Sequence, residues 1–465
     1  MDIQTTAGTD SKTPSFVYHA LKLFTHVKPG EAVTALLLTL NVFLLLTAYY
    51  IIKPIRESFI LSSWTPEDKA YLFAAMAFFL IFVVKGFSRL ASRVPRQKLI
   101  SWVSFFFIFN IGLFYVLHLA GLSGKAMGII YFIWVGIFNV TVIAQFWAFA
   151  NDLYTEDMGH RLFPLIAFGA VFGGFVGSTL TELLVGALGE FPMLLIAAAI
   201  LGLCVVFTLI IHHREVRVKK AAAAGSSAPG VELEDEKPVA PGGGFKLVWQ
   251  NRYLLYIALF VLLLNFINQN GQYILDSIAA PAAEKAAAAA ATAAEHDQLK
   301  RQFLTEFYAG FMSLQGLWSM ALQLFFVSRI FKWFGVRVAI FILPCIALGG
   351  YLSLSFFLSL GLVKIFKAIE NGTDYSLMNT TRHSLFLITS RVEKYKAKAA
   401  IDTFFHRTGD ALNAALVFLN MILLKMSVSG LARLNFVFVI LWIGVGALIY
   451  REYKKRTAGG SPVRG

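Results

Sequence analysis

About twelve stretches of this sequence are each apolar for long enough to cross a lipid bilayer, and that pattern leaves the chain few folds to choose from. They fall near 32–60, 69–90, 99–120, 127–151, 162–187, 192–212, 252–276, 304–328, 337–359, 361–389, 399–425 and 429–450. Roughly 20 apolar residues wound as a helix cover the ~30 Å of hydrocarbon in a membrane. Lipid offers the backbone no hydrogen bonds, so each stretch must satisfy its own N–H and C=O groups as a helix. Composition agrees, with 57% of residues hydrophobic and 15% charged, where soluble domains are about a quarter charged. The predicted fold class is an all-α membrane protein of about twelve transmembrane helices.

The sixth and seventh stretches are separated by VKKAAAAGSSAPGVELEDEKPVAPGGG, whose Gly, Pro, Ser and charge mark a flexible tether. Five segments result. Residues 1–30 precede the first span and hold a short amphipathic helix, with Val17, Leu21 and Phe24 on one face. A six-helix bundle over 31–212, a linker over 213–247, a second six-helix bundle over 248–450 and a basic tail over 451–465 complete the chain. With both termini in the cytoplasm, about four Lys or Arg fall on the cytoplasmic side for each one outside, the bias that orients membrane proteins. Residues 1–30 contain no arginine and no basic run leading into an apolar one. Neither a transit peptide nor a signal peptide is expected, so a bacterial inner (plasma) membrane is the expected location.

The halves echo each other. Ser88-Arg89-Leu90 after the second span is matched by Ser328-Arg329-Ile330 after the eighth, and Val94-Pro95-Arg96 by Phe334-Gly335-Val336. Two parallel six-helix repeats are the plan of the major facilitator transporters.

Enzyme chemistry finds no support. Gly124-Lys125 lacks the spaced glycine and following hydroxyl of a phosphate-binding loop. His212 and His213 have no partner at metal-ligand spacing, and Cys204 and Cys345 lie inside apolar runs. No metal, no cofactor and no nucleic-acid partner is expected, because the net charge of +14 is that of basic cytoplasmic loops.

Ionisable groups within spans carry the functional signal, since each costs roughly 2.5–3.5 kcal/mol at a helix centre on insertion scales. Span one ends in YYIIKPIRES, with Lys53, Arg56 and Glu57 beside Pro54, where a kink or break is expected. Span seven carries Asn265, Asn268, Gln272 and Asp276 at helical spacing, with Gln269 and Asn270 between them. That stripe suits a wet passage or, alternatively, hydrogen-bonded glue between helices. Span ten holds Lys364, Lys367, Asn371 and Asp374 on one face, Arg382 two turns further on, and Gly372 as a possible kink. Span five repeats Gly169, Gly173 and Gly177, a close-packing face. Helix is expected in the Ala-rich connection between spans seven and eight.

Two segments, FWAFANDLYTEDMGHRLFPLIAFGAVFGGFVGS (146–178) and DYSLMNTTRHSLFLITSRVEKYKAKAAIDTFFHRTG (374–409), resemble motifs of the nucleotide transporter family, the ATP/ADP translocases of intracellular bacteria and plastids. The KPIRES region of span one fits as well, and AKAAID is the most specific part. The resemblance implies exchange of nucleotides across a membrane by a twelve-helix facilitator-like fold. It places the family's two basic intramembrane residues on Arg56 and Arg382. Its two acidic ones fall near Val135 and Asn268, where this chain has no carboxylate.

Together these readings predict an anion site in a transporter. Lys53, Arg56, Lys364, Lys367 and Arg382 would bind phosphate or carboxylate oxygens, and Asn268, Gln272 and Asp374 the rest of the substrate. Tyr49, Tyr50, Trp147 or Tyr375 would stack on a base. Glu57, Asp402, Arg407 and Asp410 are candidates for proton or gating roles. The expected partner is a small-molecule anion such as a nucleotide, within the lipid bilayer. A proton-coupled carrier of another organic anion is the alternative, and a non-transporting scaffold a second one.

Overall fold

The computed structural model describes residues 31–91, 93–94, 96–122, 124–154, 156–225, 244–390 and 393–458. The amphipathic segment expected before residue 31, the middle of the tether and the end of the basic tail lie outside these residues. The described chain is helical, without strands. Its first half contains α1 (Ala32–Ser63), α2 (Pro66–Ala91), α3 (Arg96–Leu119), α4 (Lys125–Leu153), α5 (Glu156–Leu188) and α6 (Glu190–Gly225). In the second half, α7 (Arg252–Ala287) is followed by α8 (293–334), α9 (336–356), α10 (360–385), α11 (393–424) and α12 (Val428–Ala458).

By length and apolarity alone, 10 helices qualify as membrane spans, one of them a 64-residue segment from Ala293 to Phe356. Gly335 divides that segment into α8 and α9 with φ 64° and ψ −166°, a conformation open in practice only to glycine. The span at 360–385 is missing from the 10 because its charged residues lower its apolarity. Counting both restores the predicted number. Gly335 also sits in the echoed motif, which falls at the α2–α3 turn in one half and the α8–α9 turn in the other.

One large apolar cluster lies within the first half, and a second fills the other half and takes in Ile60, Ala70, Met76 and Phe132 from the first. Leu38, Ile52, Tyr131, Val135 and Leu194 are buried together in the first, and Leu264, Ile274, Leu343, Val363 and Trp442 in the second. Phe78, Phe82, Phe109 and Leu423 remain exposed, as side chains facing lipid do. The predicted glycine face of α5 lies along α1. A β-carbon at Gly169 would come within 2.7 Å of the Thr39 carbonyl, and those at Gly173 and Gly177 would run into the Phe43 and Thr47 carbonyls. Positions four apart on one helix thus meet carbonyls four apart on the other, and only glycine permits that approach.

Several local expectations are modified. α1 runs unbroken through Pro54. α6 continues to Gly225 and a short helix covers Gly244–Gln250, so helix occupies both ends of the segment expected to be a tether. Gly372 serves close contact with α8, where a β-carbon would lie 2.8 Å from the Gln315 carbonyl, and α10 instead widens at Asp374–Met378. The Ala-rich connection is helical to Ala287, and α8 opens on Thr292, whose hydroxyl accepts from the Glu295 N–H.

Candidate functional site

Two charged networks dominate the interior. The first crosses between the halves at the end where α1 meets α2 and α7 meets α8, the face predicted to lie outside. Glu57 on α1 holds the neighbouring Arg56 through both guanidinium contacts and lies 2.6 Å from Lys69 Nζ on α2. Lys69 reaches across to Asp276 Oδ2 on α7 at 2.7 Å. Asp276 Oδ1 accepts from Tyr308 OH on α8 at 2.5 Å and from Gln272 Nε2 at 2.9 Å. All four charged groups are shielded, Lys69 being 1% exposed and Asp276 3%. Arg56 also lies over the rings of Phe73 and Phe132, 5.5 and 5.0 Å from their centroids.

A second fastening stands beside it. Glu190, at the start of α6, accepts from Ser58 and from Thr305 of α8 and lies 3.3 Å from Arg301 Nε. Tyr273 of α7 donates to Glu67 of α2 at 2.6 Å. These contacts join the two halves along one edge.

The second network lies wholly inside the second half. Lys367 on α10 is 0% exposed and pairs with Glu370 one turn on. Its remaining protons go to Asn268 on α7, at 3.0 Å to Oδ1 and 3.2 Å to the carbonyl. Tyr351 of α9 closes the cluster 3.2 Å from Glu370. Gly271 makes room, because a β-carbon there would sit 2.9 Å from Lys367 Nζ.

These geometries redistribute the predicted site residues. Lys367 and Asn268 bond each other, so Lys367 is not a cation waiting for substrate. Arg56 is likewise held by Glu57, and an anion would have to compete with that carboxylate. Much of the polar stripe of α7 is engaged within the protein. Asn265 and Gln269 each donate to Asp410 of α11 at 2.8 Å, and Gln272 serves Asp276. Asp410 also pairs with Arg407 at 3.2 Å, while Asp402 is exposed. Val135, where the resemblance leads one to look for a carboxylate, is 0% exposed in the first core.

Three predicted cations have no carboxylate at ion-pair distance among the described residues. Lys53 on α1 is half-buried with Nζ 5.1 Å above the Tyr50 ring. Arg382 on α10 is half-buried and donates weakly to Asn379 Oδ1 at 3.4 Å. Lys364 lies over the Phe307 ring at 5.4 Å. Tyr50 packs against both large buried clusters. Tyr375 is 55% exposed, whereas Tyr49 is buried and stacked on Phe138, and Trp147 meets Phe163 edge-on. Asp374, half-buried beside Tyr375, keeps Oδ1 without a hydrogen-bond partner among the described residues.

Sequence reasoning overlooked Lys69, Glu370, Tyr308 and the Glu190–Arg301 pair. Glu370 had a signal, lying three residues beyond Lys367 where a helix brings the two together. Lys69 and Arg301 read as ordinary loop charges, and nothing local marks them as partners of residues about 200 and 110 positions away.

No protein-family model matches the chain, and no curated protein sequence matches it. Solved structures do. The nucleoside transporter NupG superposes with a TM-score of 0.58 at 12% identity, over 90% of this chain and 99% of that one. A bacterial homologue of the human lysosomal transporter Spinster, in an inward-facing and unoccupied conformation, gives 0.56 at 14%, over 93% and 99%. At such identities the likeness is one of fold. With the helices and paired halves above, it defines a multi-pass membrane protein with the major-facilitator fold.

Proposed function

We propose that this protein is an alternating-access carrier for a small organic anion, with a nucleotide or related phosphorylated metabolite as its preferred class and a bacterial inner membrane as its setting. The observation that carries this reading is the pair Lys53 and Arg382. These half-buried cations come from opposite halves, and neither has a described carboxylate at ion-pair distance. A guanidinium presents a planar fork to phosphate oxygens, and Tyr50 and Tyr375 supply an aromatic face from each half. Rocking of two six-helix halves about such a site is how this fold moves a solute. The resemblance to the nucleotide transporters and the structural likeness to a nucleoside transporter both favour a substrate carrying a nucleobase. Uptake of labelled ATP into proteoliposomes, with and without ADP trapped inside, is the test. Uptake that requires internal ADP supports nucleotide exchange, and none in either condition from folded protein sinks it.

A proton-linked carrier of another organic anion is the second reading, and Asp374 favours it. Its unpartnered Oδ1 lies in the half-buried zone next to Tyr375, while Glu57 and Asp410 are already engaged. Uptake driven by a pH gradient in the absence of internal nucleotide, and abolished in Asp374→Asn, would select this reading.

A further inference from the structure

The fastening between halves has a charge asymmetry. Cut along the division, the first half keeps Arg56, Glu57 and Lys69, two cations around one carboxylate. The second half keeps Asp276 with its Tyr308 and Gln272 donors. In the closed arrangement the four charges balance. Once the halves part, Lys69 loses Asp276, and the Arg56–Glu57–Lys69 group is left with one cation more than carboxylate, against the rings of Phe73 and Phe132. An uncompensated charge in such surroundings is costly, so opening demands a replacement anion. The neighbouring crossing has the opposite polarity, with Glu190 on the first half and Arg301 on the second. Parting there leaves Glu190 a buried carboxylate still bonded to Ser58, and Arg301 a cation already 22% exposed on its side chain, so that crossing leaves no cation on the first half for an anion to occupy.

We propose that Lys69, with Arg56 behind it, is the first binding position for the anionic group of substrate at this face, and that Asp276 is its resident competitor. The anion takes the place of the Asp276 carboxylate and so holds the face open; when it moves inward, Asp276 returns and shuts the face. The ligand class is a phosphate or carboxylate. The proposal rests on the transport reading for its purpose, but the site is open to test without transport.

Ala70, next to Lys69 and 7% exposed, supplies the reporter. In a chain carrying Cys204→Ser and Cys345→Ser, Ala70→Cys would be labelled from outside proteoliposomes by a membrane-impermeant thiol reagent. Adding Asp276→Asn should raise the labelling rate at least about fivefold, the low end for coupled sites. In that background external ATP and inorganic phosphate should slow labelling of the cysteine beside the filled site, and adenosine, which lacks phosphate, should not. Lys69→Gln alone leaves the buried Asp276 carboxylate without a cation and risks misfolding, so the decisive variant is Lys69→Gln together with Asp276→Asn. It should label quickly and show no anion protection. Equal labelling with and without Asp276→Asn, no protection by either anion, or protection that survives the double substitution would overturn the proposal. Normal ATP exchange with surviving protection sinks this site alone, whereas Lys69-dependent protection without uptake sinks only the transport reading.

Discussion

Lys367 and Glu370 form an ion pair with the lysine fully shielded, and every hydrogen-bond partner the pair has among the described residues belongs to the same half of the molecule. Removing one partner from such a pair costs about 3–5 kcal/mol, because the survivor keeps its charge and loses its compensation. Lys367→Met and Glu370→Gln should each lower the melting temperature in detergent by several degrees. Lys367→Met combined with Glu370→Leu should recover much of that loss. A double variant no better than the worse single one would show that the pair is not a self-contained unit.

Arg56 and Arg382, although predicted to share one role, should behave differently when removed. Arg56→Ala leaves Glu57 with one cation fewer in a buried network, so melting temperature and uptake should fall together. Arg382→Ala removes a half-buried side chain with one weak hydrogen bond. Stability should stay near wild type while apparent substrate affinity drops roughly 10- to 100-fold, the loss of about 1.5–3 kcal/mol from a charged hydrogen bond. Wild-type uptake by Arg382→Ala would remove the main support for the anion site.

The α1–α5 contact can be probed by adding one methyl group. Gly173→Ala puts a β-carbon against the Phe43 carbonyl, and overpacking of this kind costs about 1–3 kcal/mol. Gly112→Ala, where nothing lies within 4 Å, is the matched control and should be neutral or slightly stabilising. The measurement is the yield of monodisperse protein and its melting temperature, and equal behaviour of the two variants would contradict the contact.

Glu190 and Arg301 join the halves through a partly exposed pair. A double-mutant cycle with Glu190→Gln and Arg301→Gln should return a coupling of about 0.5–1 kcal/mol, at the low end for contacting charges. Strict additivity of the two melting shifts would mean that the pair does not help to fasten the halves.

Span lengths, the glycine face of α5, the helical Ala-rich connection and the division into two halves were all legible in the chain. Each is a local matter: hydrophobic length decides crossing, and a four-residue glycine repeat decides close approach before any partner is known. The echoed motif pointed correctly to equivalent turns, one of them made by Gly335.

The roles of the charged residues were not legible in the same way. Periodicity put Asn265, Asn268, Gln272 and Asp276 on one face of α7, and that was right as geometry. It did not say that the face would meet Asp410, Lys367 and Lys69 from three other helices. Whether a buried cation is free for an anion or already satisfied depends on where a carboxylate distant in sequence comes to rest. Arg56 and Lys367 proved to be held, and Lys53 and Arg382 proved to have no described carboxylate partner, for reasons no local pattern contains. The sequence by itself determined that this chain crosses a membrane as two helical bundles, because lipid rewards apolar length and self-satisfied backbone. Only the tertiary structure decided which charges cancel and which remain, because cancellation needs atoms within a few ångströms and the partners lie up to about 200 residues apart.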